Sequence, residues 1–212
     1  MTLKTRQTTV MLPGLEVPLL VVENVESLIT DLADEEKVPL WAEIWPAARG
    51  ISRYIWENMD FTGQKVLELG CGLGLAGVVC GLKGAKVTFS DYQPDALDIS
   101  SQNAQLNGLT DASTHLGDWR SFNLQEEFDW IVGSDILYDH RFNDYLGRIF
   151  QSNTDRGKGI LVSHPGRPPA FEFIKKWCLD TGTSEEHDLI PIYVADPHFP
   201  YYEIHVHRLT KK

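Results

Sequence analysis

The chain has 212 residues, of which 42% are hydrophobic, and it carries a formal net charge of −11. This length and composition predict one soluble globular protein with a sizeable core. The acidic balance excludes a bulk attraction to nucleic acid or to an anionic membrane, and no run of lysine and arginine indicates a local basic patch.

The predicted elements begin with an N-terminal extension, residues 1–40, that we expect to pack on a domain formed by 41–212. Its patterning indicates short strands at 8–12 and 17–22 and a helix at 24–33. A helix follows at 46–59, where Pro46 suits the first turn. Strands and helices then alternate, which favours a parallel sheet covered on both faces. The predicted strands are 64–69, 85–90, 112–116, 128–134 and 158–163, and the predicted helices are 73–83, 94–107, 141–152 and 169–181.

The alternation ends near the C-terminus. The segments "HDLIPIYV" and "YYEIHVHRL" are patterned as strands, and "ADPHFP" joins them. This arrangement predicts a long antiparallel hairpin rather than another strand–helix unit. The fold class is therefore α/β, with a mostly parallel sheet and a C-terminal antiparallel hairpin.

The three cysteines, Cys71, Cys80 and Cys178, are odd in number and fit no zinc-ligand spacing. They predict reduced thiols in a cytoplasmic protein. No signal-peptide pattern is visible, and no apolar run approaches the roughly 20 residues of a membrane span. We therefore expect no membrane partner.

A glycine-rich loop, "GCGLG" at residues 70–74, follows the apolar strand "KVLEL" and precedes a helix. Such a loop places backbone N–H groups at the carboxyl end of a strand, where open α/β sheets bind ligands. A second strand ends in Asp91, about 20 residues further on, and its carboxylate is suited to ribose hydroxyls. The alternative for Asp91 is a cap of the next helix. The loop and Asp91 alone do not separate NAD from S-adenosylmethionine.

Three other features favour S-adenosylmethionine. Glu68 is a carboxylate inside an otherwise apolar strand, so it needs a partner: the loop backbone, indirectly a ligand ammonium group, or a neighbouring chain segment. About 60 residues precede the glycine strand, whereas dinucleotide folds commonly begin with it. The terminal hairpin is not needed by a doubly wound dehydrogenase.

Several motifs carry a family resemblance. "VLELGCGLGLAG" resembles motif I of class I S-adenosylmethionine-dependent methyltransferases. "WAEIWPAARGISRYI", "GDW" and "DWIVGSDILY" are similar to blocks of the seven-β-strand protein-lysine methyltransferases, also described as nicotinamide N-methyltransferase-like. "HPGRP" is similar to the branch that acts on electron-transfer-flavoprotein lysine, although that branch usually has an acidic residue where His164 stands. The resemblance implies a Rossmann-like sheet of seven strands.

The resemblance also implies the cofactor site for S-adenosyl-L-methionine. Gly70, Gly72 and Gly74 would line its methionine part, Asp91 would hold the ribose and Asp118 the adenine amino group. Trp119 would pack on adenine, and Trp45 would close over the methionine end. From their positions in the sequence, Glu68 in the glycine strand and Ser134 at the end of the fourth strand are also expected beside the ligand. Ordinary packing is the alternative for both tryptophans.

The expected catalytic residues are Asp135 and Tyr138, which in the family flank the target amine. A helix cap is the alternative for Asp135, and packing is the alternative for Tyr138. Arg167 contacts a substrate carboxylate or orders its own loop. His205 and His207 share one face of the last strand, but without a third ligand we expect no metal.

These observations predict an S-adenosylmethionine-dependent N-methyltransferase that methylates lysine in a protein substrate. Two alternatives remain open: a small-molecule N-methyltransferase, and a non-catalytic protein that binds S-adenosylmethionine. We expect a monomer that does not bind nucleic acid.

Overall fold

The computed structural model describes residues 3–29, 38–154, 157–195 and 197–211. Within them lie nine strands and five α-helices, joined by short 3₁₀ turns. The strands are β1 (Thr5–Leu12), β2 (Leu15–Val22), β3 (Lys65–Leu69), β4 (Lys86–Asp91), β5 (Ser113–Leu116), β6 (Trp130–Ser134), β7 (Gly159–His164), β8 (Ser184–Tyr193) and β9 (Tyr201–Thr210). The helices are α1 (Pro46–Asn58), α2 (Leu75–Leu82), α3 (Pro94–Leu106), α4 (Asn143–Thr154) and α5 (Pro168–Thr181).

Seven of these strands form one sheet in the order β5-β4-β3-β6-β7-β9-β8. The first five run parallel, whereas β9 pairs antiparallel with both β7 and β8. The predicted α/β fold, with a mostly parallel sheet and an antiparallel C-terminal hairpin, is confirmed. Strand β3 lies between β4 and β6 and is buried after its first residue, which explains its near-continuous apolar sequence.

Two hydrophobic layers cover the sheet. One contains α1, α2 and the apolar side of β8 and β9, and the other contains α4 and α5. The connection between β5 and β6 contains only the 3₁₀ turn Trp119–Ser121. A cavity of about 490 Å³ lies between this connection and α4, with Leu67 and Ile131 of the sheet among its lining residues.

The N-terminal residues form a separate two-stranded hairpin of β1 and β2. Val10, Val17 and Leu19 are buried in the same core cluster as α1. On the other side, the Asn103 amide of α3 contacts the backbone of Leu20, accepting from its N–H at 2.6 Å and donating to its carbonyl at 3.1 Å. These contacts fasten the hairpin to the sheet's helices. A domain boundary at residue 40 stays a prediction.

The predicted helix at 24–33 is wrong over its first part. Only the 3₁₀ turn Glu26–Leu28 forms there, and Ile29 is already extended with φ −72° and ψ 112°. Asn24 stabilises this turn because its side-chain oxygen accepts from the Ser27 N–H at 3.1 Å. Residues 30–33 of the prediction lie outside the described residues. In the part of the chain that the structure describes, no helix is long and apolar enough to cross a membrane.

Candidate active site

The glycine loop joins β3 to α2 through three residues in the left-handed region. Gly70, Gly72 and Gly74 have φ values of 60°, 50° and 78°. A Cβ atom on Gly70 would lie 3.0 Å from the Trp119 ring, and one on Gly72 would lie 2.9 Å from the Trp41 carbonyl oxygen. Both conformation and space therefore require glycine here.

Glu68 is buried beneath this loop and binds the start of α2. Its Oε2 accepts from the Gly77 N–H at 2.9 Å. Burial raises the pKa of Glu68 to about 8, and the charge of Asp91 acts in the same direction. A Cβ atom on Gly77 would lie 2.5 Å from Oε2. The partner that the structure shows is the backbone of α2, the helix that directly follows the glycine loop.

Asp91 stands at the carboxyl end of β4 and is 5% exposed. Its two oxygens accept from the N–H groups of Gly72 and Gln93, each at 3.0 Å. Burial raises the pKa of this carboxyl group. The helix α3 begins at Pro94 with Gln93 as its N-cap, so Asp91 does not cap it. Asp91 instead joins the glycine loop to the end of the neighbouring strand.

Asp118 and Trp119 lie on the connection after β5. The Asp118 carboxylate accepts from the Arg120 N–H at 2.8 Å and pairs with the Arg120 guanidinium at 2.6 Å, which lowers the Asp118 pKa. The Trp119 ring packs edge-on against Phe142 at 5.6 Å and beside Gly70. The structure thus places Trp119 next to the glycine loop. Asp118 is paired with Arg120, a contact that sequence reasoning missed.

Trp45 precedes α1 and is 37% exposed. Its indole Nε1–H donates to the Leu40 carbonyl at 2.7 Å. Leu40 opens the 3₁₀ turn Leu40–Ala42, and the Trp41 carbonyl of that turn approaches Gly72. The predicted cofactor residue Trp45 is therefore connected to the glycine loop through a backbone contact that no sequence motif indicated.

Asp135 follows Ser134, the half-buried last residue of β6. Within the described part of the chain, Asp135 is the one non-glycine residue with a positive φ, 55°. Its N–H donates to the Ser163 carbonyl at 2.7 Å, which fixes this conformation against β7. The next α-helix begins only at Asn143, so the helix-cap interpretation of Asp135 is wrong.

The Asp135 carboxylate forms a bidentate ion pair with Arg167, the residue before α5. Arg167 Nε lies 2.5 Å from Oδ1, and Nη2 lies 2.7 Å from Oδ2. The hydrogen bond to Asp135 raises the Arg167 pKa. Two roles were considered for Arg167: contact with a substrate carboxylate, and ordering of its own loop. The structure shows a contact that orders Arg167, and its partner is the predicted catalytic residue Asp135.

Tyr138 is 38% exposed, and its ring lies 6.1 Å from that of Phe142. Burial of its hydroxyl raises the pKa to about 12, with Tyr92 and Asp91 adding to the effect. Tyr138 thus lies on the same connection after β6 as Asp135 and packs beside the 3₁₀ turn that contains Phe142.

His164 holds the loop that carries Arg167. Its Nδ1 accepts from the N–H groups of Gly166 and Arg167 at 3.1 and 3.0 Å. Because Nδ1 accepts, the ring proton is on Nε2, which donates to His207 Nε2 at 3.0 Å. Burial lowers the pKa of His164 to about 3, so the ring stays neutral at ordinary pH. A histidine can thus order this loop where the resembled branch usually has an acidic residue.

The carboxyl ends of four adjacent parallel strands meet at this site. They contribute the glycine loop from β3, Asp91 from β4, Ser134 and Asp135 from β6, and Arg167 after β7. Ligands of open α/β sheets bind at such an edge. The arrangement offers a glycine-lined cradle beside a carboxylate that is held in a fixed orientation.

Comparison with known proteins gives the family. Residues 18–176 match the family model described as "Lysine methyltransferase". The chain belongs to this family. The resemblance found in the motifs is confirmed. Because the match begins inside β2, it includes part of the N-terminal hairpin.

Two curated relatives show the range within the family. The chain is 38% identical over 129 residues to a histidine protein methyltransferase 1 homolog of Dictyostelium discoideum, covering 57% of this chain and 42% of the relative. It is 33% identical over 132 residues to the electron transfer flavoprotein beta subunit lysine methyltransferase of Danio rerio, covering 61% and 51%. The matched region thus spans about half the length of these relatives.

A solved structure shares the fold. The N-methyltransferase NodS from Bradyrhizobium japonicum, in complex with S-adenosyl-l-homocysteine, aligns with a TM-score of 0.61 over 88% of this chain and 97% of that chain. At 17% identity, this likeness concerns the fold alone.

Proposed function

We propose that this member of the lysine methyltransferase family is an S-adenosylmethionine-dependent N-methyltransferase whose acceptor is a lysine side chain in a protein. The observation that carries the proposal is the position of Asp135. Its carboxylate is fixed at the end of β6, in the strand next to the one that ends in the glycine loop. A group that binds an amine therefore lies beside a cradle for a methyl donor.

The residues of the cradle fit S-adenosylmethionine. At Gly70 and Gly72 the backbone is in the conformation that glycine allows, and neighbouring protein atoms leave no space for a Cβ atom, so the loop backbone is held in a tight bend. Asp91 lies at the strand end where a ribose is bound in such folds. Trp119 offers an aromatic ring beside the loop, and a base stacked on such a ring gains about 1–3 kcal/mol. Asp118 reaches an adenine amino group only by sharing its carboxylate with Arg120.

S-adenosylmethionine supplies a methyl group on a positively charged sulfur. The protein's own part is to position the acceptor nitrogen and to exclude water, because the charge disperses as the nitrogen attacks. A free lysine has a pKa near 10.4 and must lose its proton before it attacks. Asp135 accepts a hydrogen bond from the amine and stabilises the resulting cation, while water takes the proton. Tyr138, which is exposed, follows Asp135 by three residues and is the second residue that we expect beside the amine.

The experiment is a transfer assay with methyl-labelled S-adenosylmethionine, the purified protein and a cell extract. Acid hydrolysis of the labelled protein fraction identifies the methylated amino acid. We expect methyl-lysine, and an Asp91→Ala variant should give at least tenfold less label at a cofactor concentration below the dissociation constant. Methyl-histidine would show that the acceptor is histidine, the residue in the name of the Dictyostelium relative, and not lysine. Label found only in small molecules would support the alternative of a small-molecule N-methyltransferase.

Three further expectations belong to this proposal. We place the protein in the cytoplasm, supported by Cys71, Cys80 and Cys178, none of which forms a disulfide within the described residues. We also propose a monomer, for which light scattering coupled to size exclusion is the direct test. The protein partner is the methylated substrate, and the net charge of −11 suits a basic segment around the target lysine.

A further inference from the structure

Four of the seven histidines lie together on one face of the C-terminal part of the sheet. They are His164 on β7, His187 on β8, and His205 and His207 on β9. The strand register explains the cluster, because His164 is opposite His205 and His187 is opposite His207. On β9 the two histidines are two residues apart and therefore face the same side. Phe171 of α5 packs edge-on against the His164 and His205 rings at 4.6 and 4.8 Å.

Hydrogen bonds order these rings into two pairs. His187 Nε2 lies 2.9 Å from His205 Nδ1, and His164 Nε2 lies 3.0 Å from His207 Nε2. Each pair shares one proton, so one nitrogen of each pair presents a lone pair. The rings of His187 and His207 stack at 4.3 Å, which brings the two pairs together.

We propose that His187, His205 and His207 form a binding site for a divalent transition-metal ion such as Zn²⁺. One nitrogen from each ring lies within 4.8 Å of the others. Two nitrogens bound to one tetrahedral zinc are separated by roughly 3.3 Å, since zinc–nitrogen bonds are about 2.0–2.1 Å long. The 2.9 Å between His187 and His205 needs only a small opening for an ion to replace the shared proton.

Glu185 supplies the supporting contact that metal-bound histidines typically have. Its Oε1 lies 2.7 Å from His207 Nδ1. A carboxylate on one ring nitrogen fixes the tautomer and leaves the other nitrogen, here Nε2, as the ligand. Three imidazoles and an open position suit Zn²⁺, Cu²⁺ or Ni²⁺ rather than Mg²⁺ or Ca²⁺, which prefer oxygen ligands.

Access to the site is from the surface of β8. His187 is exposed and His205 is half-buried, whereas His207 is only 1% exposed. An ion therefore reaches the first two ligands directly. Binding at His207 Nε2 competes with the hydrogen bond from His164, which holds the Arg167 loop. His164 itself is not one of the ligands, because its Nδ1 accepts two backbone N–H groups.

The test is calorimetric titration of Zn²⁺ into the full chain prepared without a histidine tag and after treatment with a chelator. We expect one ion per chain with a dissociation constant below about 1 µM. His187→Gln and His205→Gln should each weaken binding at least tenfold, and the double variant should abolish it. His140→Gln is the matched control, because the His140 side chain is 83% exposed and lies on the 3₁₀ turn before α4.

Both substituted ligands are on the accessible side, so these variants should keep the fold, which circular dichroism checks. Co²⁺ provides a second measurement, since tetrahedral nitrogen coordination gives it visible absorption. Failure of Zn²⁺ to saturate at one ion per chain would overturn the proposal. Unchanged binding by the folded double variant would overturn it as well. Neither measurement depends on methyltransferase activity.

Discussion

The Asp135–Arg167 ion pair allows a sharp test of the proposed active site. We consider Asp135→Asn, which keeps the side-chain shape and suits the positive φ of 55°, because asparagine tolerates the left-handed region as aspartate does. The substitution removes the negative charge and one of the two acceptors of Arg167. Cofactor binding should be unchanged, because the cradle is formed by other residues.

The size of the stability change follows from the exposure of the pair. The Asp135 side chain is 10% exposed and that of Arg167 is 38% exposed. A hydrogen bond to a charged group contributes about 1.5–3 kcal/mol when buried, and partial exposure to solvent reduces this. We therefore expect the free energy of unfolding to fall by about 1–2 kcal/mol. Turnover should fall by about a hundredfold or more, because the lost charge acts on the cation that forms during transfer.

Asp139→Asn is a matched control. Like Asp135, Asp139 pairs with an arginine. Its partner is Arg141, two residues away, at 2.6 Å, and the Asp139 side chain is 13% exposed. The control should lose comparable stability and keep its turnover. Urea unfolding, calorimetric binding of S-adenosylhomocysteine and initial methylation rates measure the three quantities. Turnover of Asp135→Asn within threefold of the wild type would refute the role of Asp135, and an equal loss in Asp139→Asn would assign the effect to loop stability.

Three further changes test the cradle. Glu68→Gln should remove a pH dependence: the Glu68 pKa is raised to about 8 from 4.5, so the native state loses stability as pH rises between these values, by about 1.4 kcal/mol per unit. Urea unfolding from pH 5.5 to 7.5 should show this slope in the wild type and a flatter one in the variant; parallel curves would place the Glu68 pKa near its ordinary value. Gly72→Ala should weaken S-adenosylhomocysteine binding at least tenfold, since a Cβ atom there lies 2.9 Å from the Trp41 carbonyl oxygen, and a wild-type affinity would show that the loop adjusts. Asp91→Ala should also weaken binding at least tenfold, because the Gly72 N–H loses its acceptor, and an unchanged dissociation constant would remove Asp91 from the cofactor site.

The fold and the cradle were predictable because their signals are local in the sequence. A glycine loop between an apolar strand and a helix occupies a few consecutive residues, and Asp91 follows at a spacing set by one helix and one strand. The position of Asp135 at a strand end follows in the same way. The sequence did not show that Asp135 caps no helix. The 3₁₀ turn His140–Phe142 lies between Asp135 and the start of α4.

Most of the contacts that sequence reasoning missed join residues far apart in the chain, and the Asp118–Arg120 pair is a local exception. Arg167 reaches Asp135 across 32 positions, and His207 reaches His164 across 43. The Trp41 carbonyl lies close to Gly72, and backbone atoms leave no trace in side-chain patterns. His187 was missed because only the register of β8 on β9 brings it opposite His207. Such pairings depend on the assembled sheet, so a single sequence does not reveal them.

The position of β9 also has a consequence for the order of folding. It follows β8 in the chain, yet it lies between β7 and β8 in the sheet. Strands β3 to β7 supply the cofactor edge and are complete by His164, so they can pair before the last strand has been synthesised. Strand β8 has no place in the sheet until β9 has docked on β7. Loop closure must then bring distant segments together late, which is intrinsically slow. From this strand order we expect the cofactor edge to form first during synthesis and the histidine cluster to form last.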